Sequence, residues 1–343
     1  MKLKDPIPVT VITGFLGAGK TTLLNSLLSQ THGYKCAIII NEFGAISIDN
    51  QLVIGADEDI VDLNNGCICC RVRGDLINSL TNLFQKQKKF DYVIIETTGL
   101  ADPGPVAQTF FLPDLSKKLR LDAILTVADA KHLEKELSDA AEASAQIAFA
   151  DIILLNKVDL VTPADLERVG KRIRKINSMA RIYETQRGQI GLEKILNVRA
   201  RDLTTPLDLP ENTPAALTTF EAHDHNPAAS PDDGHDHHEH HHHDEDVRSF
   251  YISEDRPLDL KKIEAWLSQV ITAMGSNIYR SKGILHVKGQ PKRVVFQGVQ
   301  MSFDATPDRF WNLNERRTSQ LVFIGKELEE AKMRAGFESC VAT

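Results

Sequence analysis

Apolar residues in the first half of the chain fall into short, nearly unbroken runs: IPVTVIT (7–13), CAIIIN (36–41), DYVIIE (91–96), LDAILTVAD (121–129) and DIILLN (151–156). Runs of that length without alternation predict strands buried on both faces, as in a parallel sheet. Between them lie stretches of helical spacing, from Thr21 to Ser29 and over 74–88, 131–149 and 164–177. The alternation predicts a doubly wound, mostly parallel α/β unit over 1–205, with ligands at the carboxyl ends of its strands. After residue 246 the pattern changes. VRSFYIS (247–253), a helix from about Asp259 to Met274, strands near 278–287, 292–299 and 320–324, and a helix over about 326–335 predict a smaller α+β unit, 247–343.

Residues 206–246 fit neither pattern. They are rich in Pro, Asp, Ala and Asn and hold nine of the twelve histidines. A segment with so little apolar surface predicts a disordered linker. It also explains the net charge of −7: eight acids and no Lys or Arg lie in 222–246, and the rest of the chain is close to neutral. No basic stripe predicts nucleic-acid binding. No apolar run reaches the roughly 18 residues of a membrane span. The apolar start runs directly into a glycine-rich loop without a small-residue cleavage site, which argues against a signal peptide. Five cysteines, odd in number and clustered, do not form a disulfide framework, and the expected compartment is the cytoplasm.

The first chemical motif follows the first strand. Gly14-Phe-Leu-Gly17-Ala18-Gly19-Lys20-Thr21 matches the phosphate loop G-x-x-x-x-G-K-[ST], between strand and helix as that motif requires. Its backbone N–H groups curl around phosphate oxygens, and the helix N-terminus adds a favourable dipole. Lys20 reaches the β- and γ-phosphates, and the Thr21 hydroxyl binds Mg²⁺. The third run ends in Glu96-Thr-Thr-Gly99. A carboxylate there can hold the Mg²⁺ hydration shell, and Gly99 lets a backbone N–H approach the γ-phosphate. Lys20 and Glu96 are the expected catalytic groups.

The fifth run leads into Asn156-Lys157-Val158-Asp159. One carboxylate, Asp159, can accept both the N1–H and N2–H₂ donors of guanine, a pair that adenine lacks on that edge. Asn156 can brace the loop or meet the ring, and the Lys157 stem can cover the base. GTP is therefore expected over ATP. The stretch Glu184-Thr185-Gln186 is a further candidate for the base pocket.

Three of the five cysteines stand together, Cys67-Ile-Cys69-Cys70, between the loop Asn41-Glu42-Phe43-Gly44 and the third run. A following helix N-terminus with Arg71 and Arg73 would favour thiolates, which suit Zn²⁺, Cu(I) or Co²⁺. Two other readings stay open: Cys67 and Cys70 have redox spacing, and all three could be buried packing. Cys36 reads as packing and Cys340 as incidental. His223, His225, His235, His237, His238, His240, His241, His242 and His243 form a second, less selective metal-binding set, or a merely solvated linker. His286 reads as structural.

GFLGAGKTT, NEFG, GCICC, ETTG and NKVD, in that order, resemble the CobW-type P-loop GTPases, metallochaperone relatives of UreG and HypB. The resemblance spans the whole chain. It implies phosphate and Mg²⁺ contacts at Gly17, Gly19, Lys20, Thr21 and Thr22, guanine contacts at Asn156, Lys157 and Asp159, and a metal site at Glu42, Cys67, Cys69 and Cys70. Ala45 departs from relatives with an acid after NEFG. The expected function is a GTP-hydrolysing metallochaperone that delivers a transition metal, foremost zinc, to a client protein through its C-terminal unit. The alternatives are a passive zinc buffer with a structural nucleotide site, or a cobalt or nickel insertion GTPase. GTP/GDP, Mg²⁺ and Zn²⁺ are the expected cofactors, with neither nucleic acid nor membrane as partner and a monomer or homodimer as the assembly.

Overall fold

The protein is described from a computed structural model over residues 6–30, 33–40, 59–62 (backbone only), 76–78, 80–81, 84, 90–200 and 247–343. Seven parallel strands form the first sheet: β1 (Ile7–Thr13), β2 (Cys36–Ile40), β3 (Asp59–Asp62), β4 (Tyr92–Glu96), β5 (Leu119–Asp129), β6 (Ile152–Asn156) and β7 (Arg181–Thr185). Their spatial order is β3-β2-β4-β1-β5-β6-β7. The central strands β2, β4 and β6 are buried at every position, as their unbroken apolar sequences require. The chain turns to opposite sides of β1 after β1 and after β4, which places the crevice for ligands over the end of β1.

Helix α1 (Lys20–Leu28) lays Leu23, Leu24 and Leu27 on one face, against Ile12, Ile38 and Ile94. The other face is covered by α2 (Pro103–Thr109), α3 (Pro113–Ser116), α4 (Leu133–Asp139), α5 (Ala141–Phe149) and α6 (Pro163–Ile176). Sequence explains the start of α6: the Thr162 hydroxyl and Asp165 cap each other's backbone N–H, and Pro163 occupies the first helical position. The single helix expected over 131–149 is two, α4 and α5, parted by Ala140 in an extended conformation (φ −144°, ψ 122°). Residues 103–109, PGPVAQT, form a helix that their composition hides. Pro103 sits where no N–H is needed, and the Asp102 carboxylate accepts from Gly104 N at 2.8 Å.

The second sheet is antiparallel, in the order β11-β10-β9-β12-β8: β8 (Arg248–Glu254), β9 (Ile278–Leu285), β10 (Lys292–Val299), β11 (Ser302–Phe310) and β12 (Ser319–Gly325). Helices α7 (Leu260–Met274) and α8 (Glu330–Glu338) cover one face, with Trp266, Phe296, Phe323 and Phe337 at its centre. Cys340 lies in that core, 1% exposed, so it is a packing residue rather than an incidental one.

The opposite face of the second sheet packs on the helices of the first. Val322 and Ile324 join Ile147, Ala148, Val169 and Ile173 in one apolar cluster, and Tyr279 stacks on Phe149 with ring centres 5.2 Å apart. Arg280 donates to Ala150 O at 2.7 Å and pairs with Asp151, both partners almost fully buried. At the other end of the interface, Gln108 Nε2 on α2 donates to Gln300 Oε1 at 2.5 Å.

Candidate functional site

The ends of the parallel strands build one site. Register aligns Ile12 with Glu96, Thr13 with Thr126, Asp129 with Asn156 and Asn156 with Thr185. The loop leaving β1 needs glycine twice for steric reasons. At Gly14 (φ +139°) a Cβ would stand 2.1 Å from Val127 O, and at Gly19 (φ +111°) it would stand 2.6 Å from Asn156 Nδ2. Among the described residues no side chain caps α1 at Gly19, and an uncapped helix N-terminus suits an anion. Lys20, 9% exposed, curls over its own loop and donates to Gly14 O at 2.8 Å and Phe15 O at 3.1 Å. Thr21 Oγ1 donates to Glu96 Oε1 at 3.1 Å. A hydroxyl and a carboxylate held this close suit a hydrated Mg²⁺. Thr22 is exposed, and Ala18 is fully buried beneath the loop.

Beyond Glu96, the segment is stitched to β1. Thr97 N donates to Ile12 O at 2.9 Å, and Thr97 Oγ1 to Thr13 Oγ1 at 3.0 Å. Gly99 lies directly on the phosphate loop: a Cβ would meet Leu16 N at 2.8 Å. Among the described residues, the buried Thr98 hydroxyl has no hydrogen-bond partner.

On the base side, Asn156 takes the bracing role of the two open to it. Its Nδ2 donates to Ala18 O at 2.9 Å, and its Oδ1 accepts from Thr185 Oγ1 at 3.2 Å and Gly188 N at 3.1 Å. One buried amide thus ties the phosphate loop to the turn after β7. Lys157, in a left-handed conformation (φ 61°), donates to Asp129 Oδ2 at 2.7 Å. Asp159 lies exposed in the short 3-10 turn Val158–Leu160. Of Glu184, Thr185 and Gln186, only Thr185 is buried against this framework.

Three residues outside every motif complete the picture. Asp129 closes β5 and also accepts from His132 Nδ1 at 3.0 Å and Lys131 N at 2.9 Å. Burial pushes its carboxyl up, but the bonds from His132 and Lys157 prevail and hold it below the usual carboxylate range. On α4, Glu136 is 9% exposed and its Oε2 has no hydrogen-bond partner among the described residues. Burial first, and then the Asp129 charge, push its carboxyl up to about 7. Gln146 on α5, 1% exposed, donates to Gly99 O and Ala101 O. Only the apolar-run endings at Asp129 hinted at any of the three.

The proposed metal ligands Glu42, Cys67, Cys69, Cys70, His235, His237, His238 and His240 to His243 lie outside the described residues. Among the described residues, no group of three or more His, Cys, Asp or Glu side chains could hold a metal ion. Nor is any helix among them long and apolar enough to cross a membrane.

Two family models match: the CobW/HypB/UreG nucleotide-binding domain over residues 8–184, and the cobalamin synthesis protein cobW C-terminal domain over 247–341. The zinc chaperone YjiA of Escherichia coli (strain K12) is 36% identical over 338 residues, covering 97% of this chain and 98% of that protein. The zinc-regulated GTPase metalloprotein activator 1 of Schizosaccharomyces pombe is 42% identical over 205 residues, 57% of this chain and 50% of that one. The crystal structure of Zn(II)-bound YjiA GTPase from E. coli superposes with a TM-score of 0.72 at 31% identity, covering 99% of this chain and all of the other.

Proposed function

This chain belongs to the CobW/HypB/UreG family of GTPases, and from that membership we propose that it is a zinc chaperone whose hold on the metal is set by GTP. Zinc is the cargo. Its ligands in this reading are Cys67, Cys69 and Cys70 with Glu42, thiolates and a carboxylate suited to a borderline ion. The linker histidines His235, His237, His238 and His240 to His243 form a weaker capture set. A client protein, engaged through the C-terminal sheet, receives the metal.

The observation that carries the reading is a register. Ile40 at the end of β2 pairs with both Asp62 at the end of β3 and Glu96 at the end of β4. Glu42 follows Ile40 by two residues, and Cys67 follows Asp62 by five. The stretches that carry the proposed zinc ligands therefore leave the sheet beside the carboxylate that faces the phosphate loop. In this reading a change at the γ-phosphate is passed to both stretches.

Within the site, Gly14, Gly17, Ala18 and Gly19 wrap the phosphates. Lys20 exchanges its two loop carbonyls for the β- and γ-phosphates and neutralises charge that develops on hydrolysis. Thr21 and Glu96 would hold Mg²⁺, which supplies further charge neutralisation when bound. Asp159 accepts from guanine, Lys157 covers the ring under the control of Asp129, and Asn156 keeps both halves of the pocket in register. With GTP bound, the segment after β2 is drawn to a γ-phosphate held by the preset ETTG segment, and the cysteine site is assembled. Hydrolysis releases the segment after β2 and weakens the hold on zinc.

Zinc affinity, measured by chelator competition, is expected to be about tenfold higher with a non-hydrolysable GTP analogue than with GDP, a difference of about 1.4 kcal/mol. The measurement uses the full chain and a variant lacking 222–246, so that histidines do not mask the cysteines. Equal affinities in the two nucleotide states would overturn the gating. Retention of tight binding after replacing all three cysteines by serine would overturn the site.

A further inference from the structure

We propose that Gln146 is a positioning residue for γ-phosphate recognition and sets the preference of this protein for GTP over GDP. The inference rests on the GTPase reading above and extends it to a residue that no nucleotide-binding motif contains.

Gln146 sits in the middle of α5, nearly fifty residues from the ETTG segment, and is 1% exposed. A buried amide is costly unless its donors are satisfied. Here both go to one place: Nε2 donates to Gly99 O at 3.0 Å and to Ala101 O at 3.2 Å. The helix is itself fixed on either side. Thr126 Oγ1 on β5 donates to Gln146 O at 2.7 Å, and three residues on Tyr279 stacks on Phe149. Gln146 is therefore a rigid post, not a flexible tether.

What it holds is the part of the chain that touches the phosphate loop. Gly99 packs so closely on Leu16 that any side chain there would collide with the Leu16 backbone N at 2.8 Å and Cδ2 at 2.6 Å. The peptide before it is constrained as well, because Thr98 O accepts from Ala101 N at 3.2 Å. In a planar trans peptide the Gly99 N–H points opposite to that carbonyl. With carbonyls 98, 99 and 101 all engaged, the Gly99 amide cannot swing. A donor that is already aimed avoids the ordering cost at the moment of binding, which is where preorganised sites gain their strength.

GDP has no γ-phosphate and so makes no demand on this amide. Removing the Gln146 donors should therefore weaken GTP selectively. The test uses the full chain and two variants: Gln146→Met, which preserves length and volume without donors, and Gln146→Asn, which keeps the amide one methylene short. Affinities for GDP and for a non-hydrolysable GTP analogue are measured by displacement of a fluorescent nucleotide. The expected result is about a tenfold loss for the analogue, the scale of a charge-assisted hydrogen bond, with GDP affinity within about twofold of wild type. Equal losses for both nucleotides, or no loss for either, would overturn the proposal and leave Gln146 a packing residue. If Gln146→Met does not fold, the same comparison on Gln146→Asn decides. Wild-type protein binding neither nucleotide would instead refute the GTPase reading itself.

Discussion

At the ends of the parallel strands, the buried polar side chains bind loops and the first turn of α1: Glu96 holds Thr21, Asp129 holds Lys157, and Asn156 holds the loop at Ala18 and the turn at Gly188. On the antiparallel sheet, the buried polar side chains bind strands and neighbours instead. Arg293 Nε on β10 donates to Asp308 Oδ2 on β11 at 2.6 Å, and Arg280 grips Asp151 and Ala150 across the interface. Hydrogen bonds of similar geometry thus serve preorganisation in one region and cohesion in the other. Damage in the first should appear in nucleotide chemistry with the fold intact, and damage in the second in stability with nucleotide chemistry intact.

The largest effect should come from Arg280→Met, which removes the cation paired with the buried Asp151 carboxylate. A loss of about 3–5 kcal/mol in unfolding free energy is expected, the usual result of removing one member of a buried pair. Denaturant titration measures it. A nucleotide affinity that fell in proportion would break the comparison. Next comes Lys20→Ala, for which GTP turnover should drop about 100- to 1,000-fold while the melting temperature stays within a few degrees. Phosphate release and thermal unfolding check the two halves separately.

Asp159→Ala should lower guanine-nucleotide affinity about 10- to 100-fold, the scale of hydrogen bonds to a charged group, without altering the folded state. Competition between GTP and ATP on the same variant reads the discrimination directly, and an unchanged preference would remove Asp159 from the base site.

The smallest effect is a pH dependence at Glu136. Its carboxyl in the folded protein is raised from 4.5 to about 7, so the folded state holds a proton that the unfolded state has released between those values. The cost of its burial is absent below about pH 4.5 and grows to its full size above about pH 7. Glu136→Gln should therefore match wild type near pH 4.5 and exceed its stability by about 1–2 kcal/mol at pH 8. An advantage that did not change with pH would mean the carboxyl does not titrate there.

Much of the fold was legible because each buried strand carries its own apolar run. The failures have local causes. Strand β11, SFDATPDRF, has no buried position and includes Pro307, so no apolar pattern marks it; an antiparallel ladder with β10 makes it a strand. Helix α2 was hidden by its two prolines and a glycine. Ala140, an ordinary helix former, gives no sign of the break between α4 and α5. In the site, Lys20, Thr21, Glu96 and Asp159 could be named as candidates because each belongs to a contiguous motif on a single strand–loop unit.

Sequence alone determined where the phosphate-loop motif, the acid at the end of β4 and the Asn156–Asp159 motif would fall, since each lies within a few residues of one strand end. It could not choose between the two roles of Asn156, nor find Asp129, Glu136 or Gln146. Asp129 depends on Lys157, 28 positions away, Gln146 on Gly99, 47 positions away, and Glu136 on its burial when α4 packs against the sheet. Such partners meet only once the sheet has set its strand order and α5 has been clamped between two sheets. A hydrogen bond between distant residues is a property of packing, and only the tertiary structure could supply it.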